Sequence, residues 1–105
     1  MTRSARGPGS ALCVVTLRYD APLEAIDAAM PRHVAWLEER IAARELLVGG
    51  RQVPRTGGVL LMRGERAEVA RLVQRDPFVS EGLAAAEITQ FRASFAAPEF
   101  GELIR

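Results

Sequence analysis

The first strongly apolar segment of the chain covers residues 12–19 and reads L-C-V-V-T-L-R-Y. Only Thr16 and Arg18 interrupt it. A strand that is buried on both faces has such a continuous apolar pattern, so we predict a strand in the interior of a sheet. Shorter apolar runs predict three more strands, over residues 46–48 with an extension to 53, over 59–62 and over 84–93.

Between the first two strands, apolar residues recur every three, four or seven positions, as in a helix. The positions are Leu23, Ile26, Met30, Leu37 and Ile41. Pro31 lies within this pattern, and proline is tolerated in the first turn of a helix but not in its interior. We therefore expect a short helix over about residues 23–29 and a longer one that begins at Pro31, with His33 in its first turn.

A second amphipathic helix is predicted over about residues 65–75. The dipeptide Asp76-Pro77 follows it directly. Aspartate is a preferred N-cap residue and proline is favoured at the first helical position, so this pair predicts one short helical turn over residues 77–82.

The predicted order of elements is β-α-β-β-α-β, an α+β arrangement of two split β-α-β units. Right-handed crossovers place the first strand in the middle of a four-stranded antiparallel sheet, which agrees with its two-sided apolar pattern. Two helices cover only one face of this sheet. The other face needs a cover, and a second copy of the chain supplies it most simply, so we predict a homodimer whose sheets pack face to face.

The two ends of the chain differ from the domain between them, which we place at residues 11–93. Residues 1–10 combine Gly, Pro and Ser with charge and show no periodicity, so we expect a flexible leader. Residues 94–105 are too apolar to be simply solvated. We expect this tail to pack on the domain or on a partner.

The composition of the 105-residue chain argues against several partners. It carries 14 basic and 13 acidic side chains, so it has no field that would recruit nucleic acid or an anionic membrane. No window approaches the roughly 20 apolar residues of a membrane span. All basic residues are arginine, and without lysine no Schiff-base chemistry is available to a side chain.

Cysteine and histidine each occur once, as Cys13 and His33. A lone cysteine cannot form an internal disulfide, which fits a reducing compartment, and we expect the cytoplasm. One imidazole together with Asp76 gives too few ligands for tight metal binding, so we expect neither a metal site nor another cofactor. In a central strand, Cys13 is expected to be a small buried hydrophobe rather than a nucleophile.

His33 and Asp76 are the two candidates for chemistry. In the first turn of a helix, an imidazole meets the positive end of the peptide dipole, which favours the neutral ring that a general base needs. The alternative is a half-exposed helix residue without a role. Asp76 could orient the imidazole and stabilise its charged form, although most carboxylates before a proline only cap a helix.

Four segments resemble the YciI-like (YCII-related) family, namely M-P-R-H-V-A-W-L, L-L-V-G-G, G-G-V-L-L and R-D-P-F-V-S-E-G-L-A. The resemblance covers about residues 11–93, and D-P-F-V-x-x-G-L is its fairly specific element. It implies a ferredoxin-like α+β fold, dimers formed through the sheets, and a small-molecule enzyme with a His-Asp dyad in a pocket. The matching residues are His33 and Asp76. The implied reaction class is elimination or isomerisation of a small ring compound.

Substrate contacts are expected from four further residues, Arg32, Trp36, Arg51 and Phe78. The two aromatic residues would wall an apolar pocket beside the dyad, and packing in the core is the alternative. Arg51 and Arg55 would bind an anionic substrate, against the alternative of a solvated turn. The family commonly carries arginine directly before the proline of P-x-H, where this chain has Met30 and places Arg32 after the proline.

These observations lead to two hypotheses. The first is a dimeric, cofactor-independent enzyme for a small anionic or aromatic molecule, a lyase, isomerase or dehydrochlorinase-like protein in which His33 is the general acid/base and Asp76 holds its tautomer. The second is a non-catalytic small-ligand-binding or accessory protein-interaction module, which the apolar tail favours.

Overall fold

The computed structural model describes residues 5–104. Its elements are, in chain order, β1 (Ala5–Tyr19), α1 (Leu23–Ala42), β2 (Leu46–Arg51), β3 (Gly57–Arg63), α2 (Arg66–Val73), α3 (Pro77–Ser80), β4 (Ala84–Ala96) and a C-terminal 3-10 segment (Pro98–Ile104). The strands form one antiparallel sheet in the order β2-β3-β1-β4. This confirms the predicted α+β, ferredoxin-like topology with β1 in the interior of the sheet.

Side chains of β1 alternate between two environments. Cys13, Val15 and Leu17 are fully buried in the core beneath the helices. Val14 and Thr16, on the opposite face, are only partly buried. Alternate residues of a strand face opposite sides of a sheet, so these two sets report on the two faces of β1. The burial that was predicted for both faces is complete only on the face toward the helices.

One continuous helix, α1, replaces the two helices that were expected around Pro31. That expectation is wrong, because a buried stripe of Ile26, Ala29, His33 and Trp36 anchors the helix on both sides of the proline. Spacings of three and four residues keep these side chains on one face. Their packing outweighs the one backbone hydrogen bond that Pro31 cannot donate.

No helix in the described part of the chain has both the length and the apolarity that a bilayer crossing requires.

The N-terminal region contributes to the sheet. β1 already begins at Ala5, so the prediction of a flexible leader is wrong for residues 5–10, whereas residues 1–4 lie outside the described residues. This early part of β1 pairs with β4, which continues to Ala96 instead of ending at residue 93. Backbone pairing of the two extensions orders a segment whose composition alone would leave it flexible.

The C-terminal tail packs on its own domain. Ile104 lies in a small buried cluster with Leu12 and Ala93, on the face of the sheet opposite the helices. The approach is close, since a Cβ added at Gly7 of β1 would lie 2.0 Å from the carbonyl oxygen of Ile104. The tail was expected to pack either on the domain or on a partner, and Ile104 packs on the domain.

The rest of this face keeps an apolar surface, which we call the open face. Its exposed large side chains, within the described residues, are Val48, Val59, Phe91, Phe95 and Phe100. An apolar cavity of about 490 Å³ lies between the strands and the C-terminal segment on this side. A contiguous apolar surface of this kind is typical of an interface. The homodimer through the sheets stays a prediction, now with a defined surface.

Candidate active site

Folding brings His33 and Asp76 together, although 43 residues separate them in the sequence. His33 comes from the middle of α1, and Asp76 is the residue before α3. The distance between His33 Nδ1 and Asp76 Oδ1 is 2.7 Å, as in a charge-assisted hydrogen bond. Asp76 is fully buried and His33 is 7% exposed. The predicted contact between the two residues is therefore confirmed.

Asp76 also begins the short helix α3. Its Oδ1 accepts a second hydrogen bond, from the backbone N–H of Phe78 at 3.0 Å, and Pro77 occupies the start of the helix. One oxygen atom thus serves both expected roles, helix cap and imidazole partner. The other oxygen, Oδ2, is buried and has no hydrogen-bond partner among the described residues. Because the cap holds the carboxylate in place, the imidazole meets a rigid partner.

Phe78 holds the imidazole from a second direction. The rings of His33 and Phe78 stack with their centroids 3.9 Å apart and an angle of 7° between their planes. Phe78 is itself buried, and its ring meets that of Tyr19 edge to face at 5.9 Å. The hydrogen bond and the stacking together restrict the imidazole to one orientation.

The contact with Asp76 determines which nitrogen of His33 carries the proton. An ionised carboxylate can only accept hydrogen bonds, so Nδ1 of the neutral ring is the donor and Nε2 keeps its lone pair. Nε2 can take up a proton, and the resulting imidazolium lies beside the carboxylate. Because α1 begins at Leu23, His33 is far from the helix N-terminus, and the expected effect of the helix dipole is wrong.

His33 borders a pocket of about 490 Å³ between α1, β1 and the β2–β3 hairpin. Its apolar wall includes Leu17, Met30, Leu60 and Phe78. Glycines of the β2–β3 hairpin also line the pocket, and they contribute only backbone atoms to its wall. A Cβ atom added at Gly50 would meet nothing within 4 Å. The volume lies in the range that accommodates a small organic ligand.

Two arginines and one aspartate give the pocket wall its charge. Arg51 ends β2, Arg55 lies in the loop between β2 and β3, and Asp27 belongs to α1. Arg55 Nη2 donates a hydrogen bond to Asp27 Oδ1 at 2.5 Å. That bond raises the pKa of Arg55 above its ordinary value, with a smaller contribution from Tyr19 and against the effect of burial. When His33 is neutral, one positive charge in the wall is unmatched, which favours an anionic ligand.

Comparison with known proteins identifies the family. The family model of the YCII-related domain matches residues 12–92. The chain belongs to the YCII-related domain family. No curated protein matches it by sequence.

A solved structure that this YCII-related protein resembles is that of 5-chloro-2-hydroxyhydroquinone dehydrochlorinase (TftG) from Burkholderia phenoliruptrix AC1100, in complex with 2,5-dihydroxybenzoquinone. The two are 28% identical, and the similarity covers 74% of this chain and 90% of the dehydrochlorinase chain with a TM-score of 0.63. The similarity agrees with the ferredoxin-like fold described above.

Four of the six site residues predicted from the sequence meet in this YCII-related protein. His33, Arg51 and Phe78 line the pocket, and Asp76 lies behind His33. Asp76 does not border the pocket, so its contact with a ligand would pass through the imidazole. His33 can therefore contact a ligand directly, whereas Asp76 can only position His33.

Arg32 and Trp36 do not line this pocket. Arg32 instead makes two hydrogen bonds with Glu81, at 2.7 and 3.0 Å, which lower the pKa of that carboxyl. Trp36 is buried in the core between the helices and the sheet. Successive helical residues point about 100° apart, and the pocket lies on the side of His33 toward Val34, so Arg32 on the other side faces away from it. The structure therefore places Arg32 and Trp36 outside the lining of this pocket.

Tyr19 and Asp27 line the pocket although the sequence did not point to them. For Asp27 a signal existed, because Asp27, Met30, Val34 and Leu37 all border the pocket at helical spacing. This stripe lies beside the buried stripe that contains His33. A helical projection centred on His33 could have found it.

Within residues 5–104, no three side chains of the His, Cys, Asp and Glu types lie together so as to hold a metal ion. Cys13 is buried outside the pocket, and its thiol donates to the carbonyl oxygen of Gly64 at 3.4 Å. Burial raises the pKa of this thiol. The observation agrees with the expectation of a small buried hydrophobe.

Proposed function

We propose that this YCII-related protein is a small-molecule enzyme that moves a proton on a small ring compound, with His33 as the general acid/base. The observation that carries the proposal is the His33 ring at the wall of a largely apolar pocket, bonded through Nδ1 to a buried carboxylate. Asp76 is the positioning residue, because it orients the imidazole and lies beside the positive charge that forms on it.

The proposed reaction class is elimination or isomerisation. In an elimination, Nε2 of His33 takes a proton from the ring compound, the electron pair of the broken bond forms a double bond, and the leaving group departs as an anion. In an isomerisation, the imidazolium returns the proton to another atom of the same compound. Neither reaction changes the number of electrons or transfers a group to a carrier, so the proposal includes no cofactor. The similarity to a dehydrochlorinase supports this class, because loss of hydrogen chloride is such an elimination.

The pocket favours a flat compound that carries negative charge. Phe78 and its apolar neighbours suit the faces of a ring. Arg51 supplies a fork of N–H donors and, among the described residues, makes no ion pair. Phe78 and Arg51 are therefore the proposed substrate-binding residues, with the first acting on the ring and the second on an anionic substituent.

A homodimer is the proposed assembly. Support comes from the apolar side chains that are exposed on the open face. Two copies that pack face to face would remove these side chains from water. The pocket lies on the helix side of the sheet, because it is bordered by Leu17 and Leu60, which belong to the core beneath the helices. Dimerisation through the open face would thus leave the pocket accessible.

Chloride release from 5-chloro-2-hydroxyhydroquinone and calorimetric binding of 2,5-dihydroxybenzoquinone test the proposal. We expect the wild type to do both. His33→Gln should still bind the quinone but should release chloride at least about 100-fold more slowly, because the general base is lost. Arg71→Gln, at an exposed position of α2 outside the pocket, is the control and should match the wild type.

Two results would contradict the proposal in different ways. Equal chloride release by the wild type and His33→Gln, with circular dichroism showing that both are folded, would show that His33 is not the general base. A wild type that neither binds the quinone nor releases chloride would show that chlorinated hydroquinones are not its substrate class.

A further inference from the structure

An ion pair joins the β2–β3 loop to α1 at the wall of the pocket. Arg55 of the loop donates from Nη2 to Asp27 Oδ1, and both side chains line the pocket that His33 borders. The proton transfer proposed above uses neither residue. The two charges nevertheless lie where a bound substrate would meet them.

Arg55 has hydrogen-bonding capacity that Asp27 does not use. A guanidinium carries five N–H donors in a planar fork, and Asp27 receives its bond from Nη2. Arg55 Nε is buried and has no hydrogen-bond partner among the residues that the structure describes. A substrate oxyanion could accept two parallel bonds from such a fork.

Asp27 is a partner that an anion can replace. Its side chain is 59% exposed, whereas that of Arg55 is 28% exposed. Water screens a pair of this kind, so the pair contributes little stability and Asp27 can turn into solvent at small cost. An anionic oxygen between the apolar walls of the pocket is screened less and competes well for the guanidinium.

The neighbouring groups favour the same exchange. Arg51 of β2 adds a second positive charge to the wall, and Tyr19 of β1, which also lines the pocket, interacts with Arg55. Asp27 is the acidic side chain that lines the pocket within the described residues. Its replacement by a substrate anion would keep the charge of the wall balanced.

We infer that Arg55 is a specificity-determining residue that releases Asp27 and binds an anionic oxygen of the substrate, such as an enolate, a phenolate or a carboxylate. Asp27 then sets how tightly such anions are held, because every anion must displace it. The inference rests on the proposed function, since it takes the pocket beside His33 as the substrate site.

Calorimetric titration with two quinones of similar shape tests this inference. 2,5-Dihydroxybenzoquinone is an acidic enol that is anionic at neutral pH, and 2,5-dimethoxybenzoquinone is neutral. Arg55→Gln should weaken binding of the anionic quinone about 10- to 100-fold and leave the neutral quinone nearly unchanged. Asp27→Asn should strengthen binding of the anionic quinone about two- to fivefold. In the Arg55→Gln background, Asp27→Asn should give a smaller gain, because no guanidinium remains to be released.

Arg18 and Asp20 provide matched controls. They form an exposed ion pair at 3.2 Å outside the pocket, so Arg18→Gln and Asp20→Asn make the same changes of charge without touching the site. Neither should change the binding of either quinone. Thermal unfolding of each variant checks that the comparison is made on folded protein.

The outcomes separate this inference from the proposed function. If Arg55→Gln and Asp27→Asn bind the anionic quinone as the wild type does, while His33→Gln has lost chloride release, the inference is overturned and the proposed function stands. Weaker binding of the anionic quinone by Asp27→Asn would also overturn it, because Asp27 would then hold Arg55 in place rather than compete. A wild type that binds neither quinone and releases no chloride would overturn both.

Discussion

Asp76 joins the local structure of α3 to the chemistry of His33, and two substitutions separate these roles. Asp76→Ala removes both hydrogen bonds that Oδ1 accepts, the one from the N–H of Phe78 and the one from His33. Asp76→Asn keeps an oxygen acceptor of similar size and removes the negative charge. A comparison of the two variants therefore distinguishes the cap from the charge.

The stability of the two variants should differ clearly. The lost cap contributes about 1 kcal/mol and the lost charge-assisted bond about 1.5–3 kcal/mol, so Asp76→Ala should lower the free energy of unfolding by about 2.5–4 kcal/mol. Asp76 is fully buried, so water does not screen these losses. Asp76→Asn should lose only about 1–2 kcal/mol, because the cap remains. Both variants should still fold if the domain has the usual stability of about 5–15 kcal/mol.

The shared acceptor also predicts the tautomer of His33 in Asp76→Asn. The N–H of Phe78 needs an oxygen at the Oδ1 position, so the amide oxygen should occupy it and still accept the bond from His33 Nδ1. The tautomer then stays the same, and the imidazolium loses its carboxylate. The kcat/KM for chloride release should fall about 10- to 100-fold, because the bond that remains between the imidazolium and residue 76 no longer has a charged acceptor.

Two measurements check these expectations. Urea unfolding, followed by the fluorescence of the buried Trp36, gives the free energies of unfolding. Nitrogen-15 NMR of the imidazole gives the tautomer, and the assignment is unambiguous because His33 is the only histidine of the chain. Asp20→Asn, at an exposed carboxylate, should change neither quantity.

Two results would contradict these roles of Asp76. If Asp76→Asn loses as much stability as Asp76→Ala, the cap and the imidazole do not share one acceptor as described. If the wild-type spectrum shows the proton on Nε2 of the neutral ring, His33 cannot act as the base through that atom.

Three further predictions concern stability and assembly. In urea unfolding, Gly57→Ala should show a free energy of unfolding about 1–3 kcal/mol lower than the wild type, because its Cβ would lie 1.7 Å from a carbonyl oxygen of β1. The control is Gly50→Ala, whose Cβ meets nothing within 4 Å and which should unfold like the wild type. Glu81→Gln should lower the Tm at pH 7, because the hydrogen bond from Arg32 lowers the pKa of Glu81 and stabilises the fold above the ordinary carboxyl pKa. The difference in Tm should shrink as the pH falls through the lowered pKa, and a difference that does not change with pH in acid would contradict this. Phe91→Glu, on the open face, should be monomeric by light scattering at concentrations where the wild type is dimeric, and a dimeric variant would place the interface elsewhere.

Much of the fold could be predicted because it depends on residues that are close in sequence. The apolar run of β1 indicates an interior strand, and the structure places it between β3 and β4. Asp76 and Pro77 supply the cap and the start of α3, which needs no distant partner. Capping and strand burial leave local patterns in the residues themselves.

The errors arose where distant contacts outweigh local preference. Pro31 predicts a break, but packing on both sides keeps α1 continuous. The composition of residues 1–10 predicts flexibility, but from Ala5 onward the chain extends β1 and pairs with β4. A local rule cannot include the stabilisation that a partner far along the chain supplies.

The order of the elements and the two residues capable of acid-base chemistry follow from the amino-acid sequence, because hydrophobic period, capping and side-chain chemistry are properties of a few neighbouring residues. Which side chains meet depends on tertiary packing. It brought His33 to one oxygen of Asp76, and it turned Arg32 toward Glu81 while the β2–β3 loop brought Arg55 to Asp27. These contacts join residues tens of positions apart, and only the packing of α1 against α3 and the hairpin sets the directions in which the side chains point.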